Sequence, residues 1–342
     1  MNAPPIQYAR TADGLSIAYS TVGEGKAVVN MPTIPFRHVS LLWSISAASR
    51  RQAQLLASVG CRWVMFDPRG MGSSAPVNSF SLEGFVADLE AVADELALDQ
   101  FDLVATTYSN PIAVEYAYRH PERVSHLVLQ YPFLRSAEAL RTPTLRAIKA
   151  LRGHDWGVFT EAAVHLFYGH ERSEESQILS RVLREAITPE RAWQVFELID
   201  TFDITQQAEG LKVPTLVTAE AGRSVSIEQS RLVATTIPSA QFVITESLEQ
   251  FMRASARFLG LVPGDAAAPA ANRAVGTPAV SLTPREIEVL ALLVAGQSNR
   301  EIAEGLVLSE RTVARHIANI YEKTGAHGRA EVTAYALRHR LA

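Results

Sequence analysis

Short apolar, β-branched runs recur along the first 250 or so residues: Ile6–Arg10, Leu15–Ser20, Ala27–Pro32, Arg62–Pro68, Phe101–Thr107, His126–Pro132, Pro214–Glu220 and Gln241–Thr245. Each has the length and residue types of a strand. Between most of them the apolar positions change to a three-or-four spacing, predicting helices over Leu41–Val59, Leu82–Leu96, Pro111–Arg119, Ile227–Thr235 and Leu248–Phe258. The first two runs flank Asp13-Gly14 and read as an antiparallel pair. The rest alternate with helices, which predicts an α/β fold with a mostly parallel sheet covered on both faces. From Ser136 to Leu211 no run reads as a strand, and the helical stretches there carry Trp156, Phe159, Phe167, Tyr168, Trp193 and Phe196. Such an insertion, following the strand at His126–Pro132, is expected to cap the carboxyl ends of the strands, where open α/β sheets bind ligands. Each aromatic taken alone fits an ordinary core as well as a pocket wall.

Past Leu261 the pattern changes again. Residues 262–280 lack periodicity and are rich in Ala, Pro and Gly, which marks a linker between a large domain, residues 1–261, and a small one, residues 281–342. The small domain reads as four helices. Thr283-Pro284-Arg285-Glu286 is a capping box with proline at the first helical position, followed by the stripe Val289, Leu290, Leu292 and Leu293; Gly296 ends that helix. Ser298-Asn299-Arg300-Glu301 is a second capping box, opening a helix through Ile302, Ala303 and Leu306. Ser309 caps the third. In that helix Val313, Ile317, Ile320 and Thr324 share one face, so Arg311, Ala314, Arg315, Ala318, Asn319 and Glu322 face outward. Arginine suits guanine O6/N7 in a major groove and alanine permits close approach, while Thr312 and Lys323 suit phosphates. The bland alternative is a helical bundle with a solvated polar face.

The whole pattern argues against the bland reading. Leu-Thr-Pro-Arg-Glu, Glu-Val-Leu, Ser-Asn-x-Glu-Ile-Ala, Ser-Glu-x-Thr-Val-x-x-His, Asn-Ile-Tyr and Arg-Ala-Glu, as they stand between Leu282 and Glu331, resemble the LuxR-type helix-turn-helix. The resemblance implies an all-α four-helix domain that binds double-stranded DNA. The helix from Ser298 and Asn299 would cross the backbone, the helix from Ser309 would enter the major groove, and Arg329–Arg340 would pair with its twin in a homodimer. RNA polymerase is a candidate further partner. His316 is a lone histidine and a poor metal ligand, and neither a metal nor a cofactor is expected.

Charge sharpens this picture. The chain carries a formal net charge of −4, with +1 from residue 281 onward and therefore −5 upstream. DNA binding must then rest on local arginine placement and on dimerisation, and the acidic upstream part is not expected to bind DNA unaided. The single cysteine, Cys61, allows no intrachain disulfide, no signal segment opens the chain, and no apolar run is long enough to span a bilayer. The expected location is cytoplasmic.

Upstream, the sequence FDPRGMGSS at Phe66–Ser74, the segment Ala113–Leu129 and KVPTLV at Lys212–Val217 resemble the α/β-hydrolase family over about three quarters of the chain. The resemblance places Met31–Trp43 at the oxyanion loop and Thr107 at the nucleophile position of the strand-to-helix elbow. Catalysis needs a nucleophile on that elbow, then an acid and a histidine later in the chain. The elbow here is Ala105-Thr106-Thr107-Tyr108-Ser109 and has lost both flanking glycines. The family's acid would fall at Gly222 or Arg223, with Glu220 the nearest carboxylate, and no histidine lies between His170 and His316. A hydroxyl without a base is a poor nucleophile. No catalytic residue is therefore assigned, and the pocket is expected to bind a small apolar effector through Phe36, His38, Thr106, Thr107, Tyr108, Phe133, Trp156 and Phe159. Taken together, a one-component transcriptional regulator is expected. The alternative is a slow esterase or lactonase using Thr107 or Ser109.

Overall fold

The computed structural model describes residues 3–140, 150–151, 155–168, 173–220, 225–261, 284–294, 297–306, 308–324, 328 and 332. The chain divides into two compact units, Met1–Pro269 and Ala270–Ala342. Thr283, Gly296, the stretch 262–280 and the helix expected at Arg329–Arg340, Val332 apart, lie outside the described residues.

The first unit is built on an eight-stranded sheet in the order β1-β2-β4-β3-β5-β6-β7-β8, comprising β1 Gln7–Arg10, β2 Ser16–Val22, β3 Lys26–Asn30, β4 Cys61–Phe66, β5 Phe101–Thr106, β6 Val124–Gln130, β7 Thr215–Ala219 and β8 Ala240–Ile244. β1 pairs antiparallel with β2 and β2 with β4; every later pairing is parallel. The order follows from the crossover connections, since each parallel step needs a helix to return the chain to the same end of the sheet. Alternate residues of a strand serve opposite faces. In β4, Cys61, Trp63 and Met65 join one apolar cluster with Trp43, Leu56 and Phe251, whereas Val64 and Phe66 join the other with Phe85, Leu89 and Ile112.

Helices α1 Val39–Ile45, α2 Ala47–Ser58, α3 Leu82–Glu95, α4 Asn110–Arg119, α10 Ile227–Thr236 and α11 Leu248–Phe258 flank the sheet; between α4 and α10 the cap supplies α5 Ser136–Ala139, α6 Trp156–Tyr168, α7 Ser173–Ala186, α8 Pro189–Ile199 and α9 Thr205–Glu209. The single helix expected over Leu41–Val59 is two helices. Ser46 breaks it, its hydroxyl accepting the Ser49 N–H at 3.1 Å to start α2, while its extended backbone ends α1. Two stems close the cap's base: Ser136 N–H donates to Phe202 O, and Ile204 N–H donates to Leu134 O.

The Asp-Pro-Arg-Gly turn after β4 is held by a buried carboxylate. Asp67 Oδ1 accepts the Val39 N–H at 2.7 Å and Oδ2 accepts the Ser73 N–H at 2.9 Å. Gly72, at φ +50°, must be glycine, because a Cβ there would lie 2.3 Å from Asp67 Oδ2. Arg69 reaches the fully buried Asp88 through its backbone N–H and its Nε, each at 2.8 Å. The motif thus fixes the loops bordering the carboxyl edge of the sheet.

In the second unit, α12 Pro284–Val294, α13 Asn299–Leu306 and α14 Glu310–Thr324 pack around Val289, Leu290, Leu293, Ile302, Val313, Ile317 and Ile320. The apolar spacing in each helix accounts for the faces that meet.

Candidate functional sites

At the end of β5 the chain reverses through Thr107–Ser109, a single tight turn, into α4. Thr107 sits at φ +50°, a region that a β-branched residue avoids. The strained elbow has therefore outlived its glycines. Ser109 holds it: Oγ accepts the Thr106 N–H at 3.1 Å and lies 2.9 Å from Thr106 O and 3.3 Å from Met31 O. Ser109 is 0% exposed, so the expectation that it could serve as a rival nucleophile is corrected. Its hydroxyl is a structural pin.

The Thr107 side chain is 5% exposed, and its hydroxyl makes no hydrogen bond among the described residues. His38 supplies no base to it: Nδ1 lies 3.9 Å from Asp67 Oδ2 and is buried without a hydrogen bond. His126 pairs with Asp102 at 2.9 Å near the amino ends of the strands, and the His120 ring lies tilted against Tyr116 at 5.0 Å. His154 and His170 lie outside the described residues, as do Gly222 and Arg223.

Glu220, the offset carboxylate after β7, is engaged by a residue that the sequence did not single out. Tyr131 donates to Glu220 Oε2 at 2.7 Å and receives a bond from Gln130 Nε2 at 3.2 Å, while Thr106 Oγ1 donates to Gln130 Oε1 at 3.1 Å. A polar chain Thr106–Gln130–Tyr131–Glu220 thus runs along the carboxyl edge of β5, β6 and β7. It occupies donors and acceptors that a catalytic acid would otherwise direct at a histidine.

Above the elbow lies an aromatic cluster. Phe196 meets Tyr108 edge-on at 6.5 Å, Phe36 at 6.4 Å and Phe159 at 5.7 Å; Phe159 in turn meets Trp193 at 4.5 Å and stacks on Trp156 at 5.2 Å. Burial pushes the Tyr108 phenol far above its ordinary value, so it stays neutral. Four of the expected pocket residues, Phe36, Tyr108, Trp156 and Phe159, are thereby brought together, joined by Trp193 and Phe196, whose place at the elbow the sequence did not reveal. Phe133 is fully buried in the same core cluster as Phe36 and Tyr108 and is not among these ring contacts. Among the cavities formed by the described residues are two of about 450 Å³ each, and Thr107 lines neither of these two. One lies beside the Asp-Pro-Arg-Gly turn, between Gly70, Gly72 and the cap residues Trp156, Arg184 and Arg191.

In the second unit, Ser298 and Glu301 form the reciprocal capping box: the Glu301 carboxylate accepts from Ser298 N–H and Oγ at 2.7 and 2.8 Å, and Ser298 Oγ accepts the Glu301 N–H at 3.3 Å. Ser309 caps α14 by accepting the Thr312 N–H at 3.1 Å. Arg311, Ala314, Arg315 and Ala318 are exposed on α14, with Asn319 and Thr312 half-buried beside them and Asn299 half-buried at the start of α13. The Thr312 hydroxyl shares a 2.7 Å bond with Ser309. Lys323 needs correction. Its Nζ lies 2.7 and 3.0 Å from the two oxygens of Glu286, a carboxylate 3% exposed, so it pins α14 to α12 rather than standing free for a phosphate. Arg285 Nη2 donates to Leu306 O at 2.7 Å and so caps α13. Among the described residues, the exposed face of α14 thus presents two arginines and two alanines beside the edge of Asn319.

Comparison with known proteins agrees with both halves. Residues 280–336 match the family of bacterial regulatory proteins of the luxR type, and residues 40–163 match the alpha/beta hydrolase fold. The Fimbriae Z protein of Salmonella typhimurium is 48% identical over 60 residues, 18% of this chain and 29% of that protein. The transcriptional regulatory protein LiaR of Bacillus subtilis is 42% identical over 64 residues, 19% and 30%. The chain thus spans less than a third of the length of these relatives. Among solved structures, a bromoperoxidase from Bacillus anthracis superposes with a TM-score of 0.65 at 21% identity over 75% of this chain and all of that one. An enol-lactonase from Burkholderia xenovorans does so at 0.62 and 20% identity, over 74% and 100%. At such identities the likeness is one of fold.

Proposed function

We propose that this chain, which joins an α/β-hydrolase-fold domain to a luxR-type helix-turn-helix domain, is a one-component transcriptional regulator whose hydrolase-fold domain senses a small molecule instead of turning it over. One observation supports the non-catalytic half of this reading: at a still-strained elbow the Thr107 hydroxyl has no hydrogen-bonded base among the described residues. A threonine hydroxyl at its ordinary pKa attacks nothing at neutral pH unless a neighbour takes its proton. The sequence offers no histidine after β8 in this domain, and Glu220 is held by Tyr131.

What remains is a cap resting on the elbow through aromatic side chains. Phe36, Tyr108, Trp156, Phe159, Trp193 and Phe196 form a surface on which an apolar effector can sit once the cap shifts, with Thr107 as a polar handle. The effector alters DNA binding to the extent that it favours one cap position over the other. The outward residues of α14, with Arg311 and Arg315 as base-reading candidates, engage double-stranded DNA, and two copies on adjacent half-sites supply the affinity that a net charge of +1 from residue 281 onward does not.

The test has two arms. A fluorophosphonate probe is expected to leave the protein unlabelled, whereas labelling that disappears in Thr107→Ala would establish the rival reading, a slow esterase or lactonase. A thermal-shift panel of esters, lactones, fatty acids and aromatics, followed by mobility shift on an operator, is expected to return a compound that stabilises the protein and changes its DNA affinity. If no compound in such a panel stabilises it, the sensing role fails.

A further inference from the structure

The cavity beside the Asp-Pro-Arg-Gly turn is chemically unlike the aromatic cluster above the elbow. From its features we infer that it binds the oxyanion of a small carboxylate- or phosphate-bearing molecule. Two guanidinium groups line its cap side, Arg184 from α7 and Arg191 from α8. Arg191 is half-buried and makes no hydrogen bond or ion pair among the described residues. Arg184 donates a single hydrogen bond, to Thr160 Oγ1 at 3.0 Å, and stands 3.8 Å from the exposed Glu161. Both therefore keep donors to spare, and Arg presents them as a planar fork that matches a carboxylate or phosphate.

The remaining features point the same way. Trp156 lines the cavity, and its Nε1 is buried without a hydrogen-bond partner. The indole therefore contributes an aromatic wall to the cavity. Thr188, also on the wall, begins α8 without a side-chain cap bond, which leaves the positive end of that helix toward the same space. One carboxylate belongs to the wall, that of Glu185, and Arg181 holds it at 2.7 Å. The floor is backbone at Gly70 and Gly72, two positions where a Cβ would collide with Phe80 or Asp67. At about 450 Å³ the space accommodates a small ring bearing one anionic group.

The location gives such binding a reach beyond the cavity. Gly72 N–H donates to Ala186 O at 2.8 Å, so the wall already joins the turn to the end of α7. An anion held by Arg184 and Arg191 ties α7 to α8 beside that joint. Binding itself does not depend on the domain being a sensor.

The test uses the full chain, with phenyl phosphate and benzoate as probes and benzyl alcohol as the neutral control, followed by calorimetry and tryptophan fluorescence. Either anion is expected to bind at least about tenfold more tightly than the alcohol, with affinity falling about tenfold in Arg191→Gln and less in Arg184→Lys, which keeps the charge. The tighter of the two anions identifies the phosphate or the carboxylate class. Far-UV dichroism checks that the variants are folded; Arg191 has no partner to lose among the described residues. No binding of either anion up to about 10 mM, or equal binding by wild type and Arg191→Gln, overturns the site. Binding that leaves operator affinity unchanged keeps the site and separates it from the sensing role, which the compound panel tests on its own.

Discussion

Replacing Thr107 by glycine and by alanine isolates the strain at the elbow. Both variants lose the hydroxyl and the methyl group, so they differ only in Cβ. At an ordinary position alanine is the more stable of the two by about 0.4–1 kcal/mol, because glycine has more unfolded conformations to lose. At φ +50° a Cβ costs about 1–2 kcal/mol. The difference reverses the usual order and leaves Thr107→Gly more stable than Thr107→Ala by roughly 1 kcal/mol. With a urea dependence of about 2–3 kcal/mol per molar, the glycine variant should unfold roughly 0.3–0.5 M later. The four tryptophans, at 43, 63, 156 and 193, all lie within Met1–Pro269, so fluorescence reports this unit without interference from the reader domain. An alanine variant as stable as the glycine variant, or more so, would refute the left-handed elbow and with it the claim that the hydrolase geometry persists without the chemistry.

Arg315→Ala should relax base preference at one operator position by about 1–3 kcal/mol, read by mobility-shift titration on operator variants; an unchanged ranking of sequences contradicts the assignment. Lys323→Met should remove the ammonium partner of the buried Glu286, costing up to about 2 kcal/mol after discounting for the 36% exposure of the lysine side chain, and accelerate hydrogen exchange across 284–324. Unaltered exchange with uniformly weaker DNA binding would restore Lys323 to the phosphates. Cys61 is buried on β4 and its thiol is pushed up to about 12, chiefly by desolvation, so native protein should resist iodoacetamide at pH 8 and react once denatured. Rapid modification of the folded protein would show that this strand is open to solvent.

The strands were legible because alternation and β-branching survive without any knowledge of neighbours, and each run expected from the pattern contains an observed strand. The break at Ser46 was not, since Leu41 to Val59 keeps a helical period across it and only the Ser46–Ser49 cap distinguishes two helices from one. Glu286 read as part of a capping box. Its partner Lys323 lies 37 residues away on another helix, a distance no local pattern spans. Likewise, the cap aromatics were visible as residues, but their convergence on Tyr108 through Phe196 depends on how three helices cross. The absent histidine is the reverse case: an absence is plain in a sequence, and the structure adds that no described histidine bonds Thr107.

Strand β3 has a further consequence, one of distance. At its carboxyl end, Met31 O lies 3.3 Å from the Ser109 hydroxyl that pins the elbow. At its amino end, Lys26 Nζ lies 2.7 Å from Asp102 and donates at 2.7 Å to Leu259 O, where the last helix of this unit finishes. About five residues of extended chain, roughly 17 Å, separate the two. The peptide leading toward the reader therefore leaves from the opposite rim of the sheet. On the proposed sensing role, β3 is a strut that touches both the elbow and the end of the last described helix of this unit.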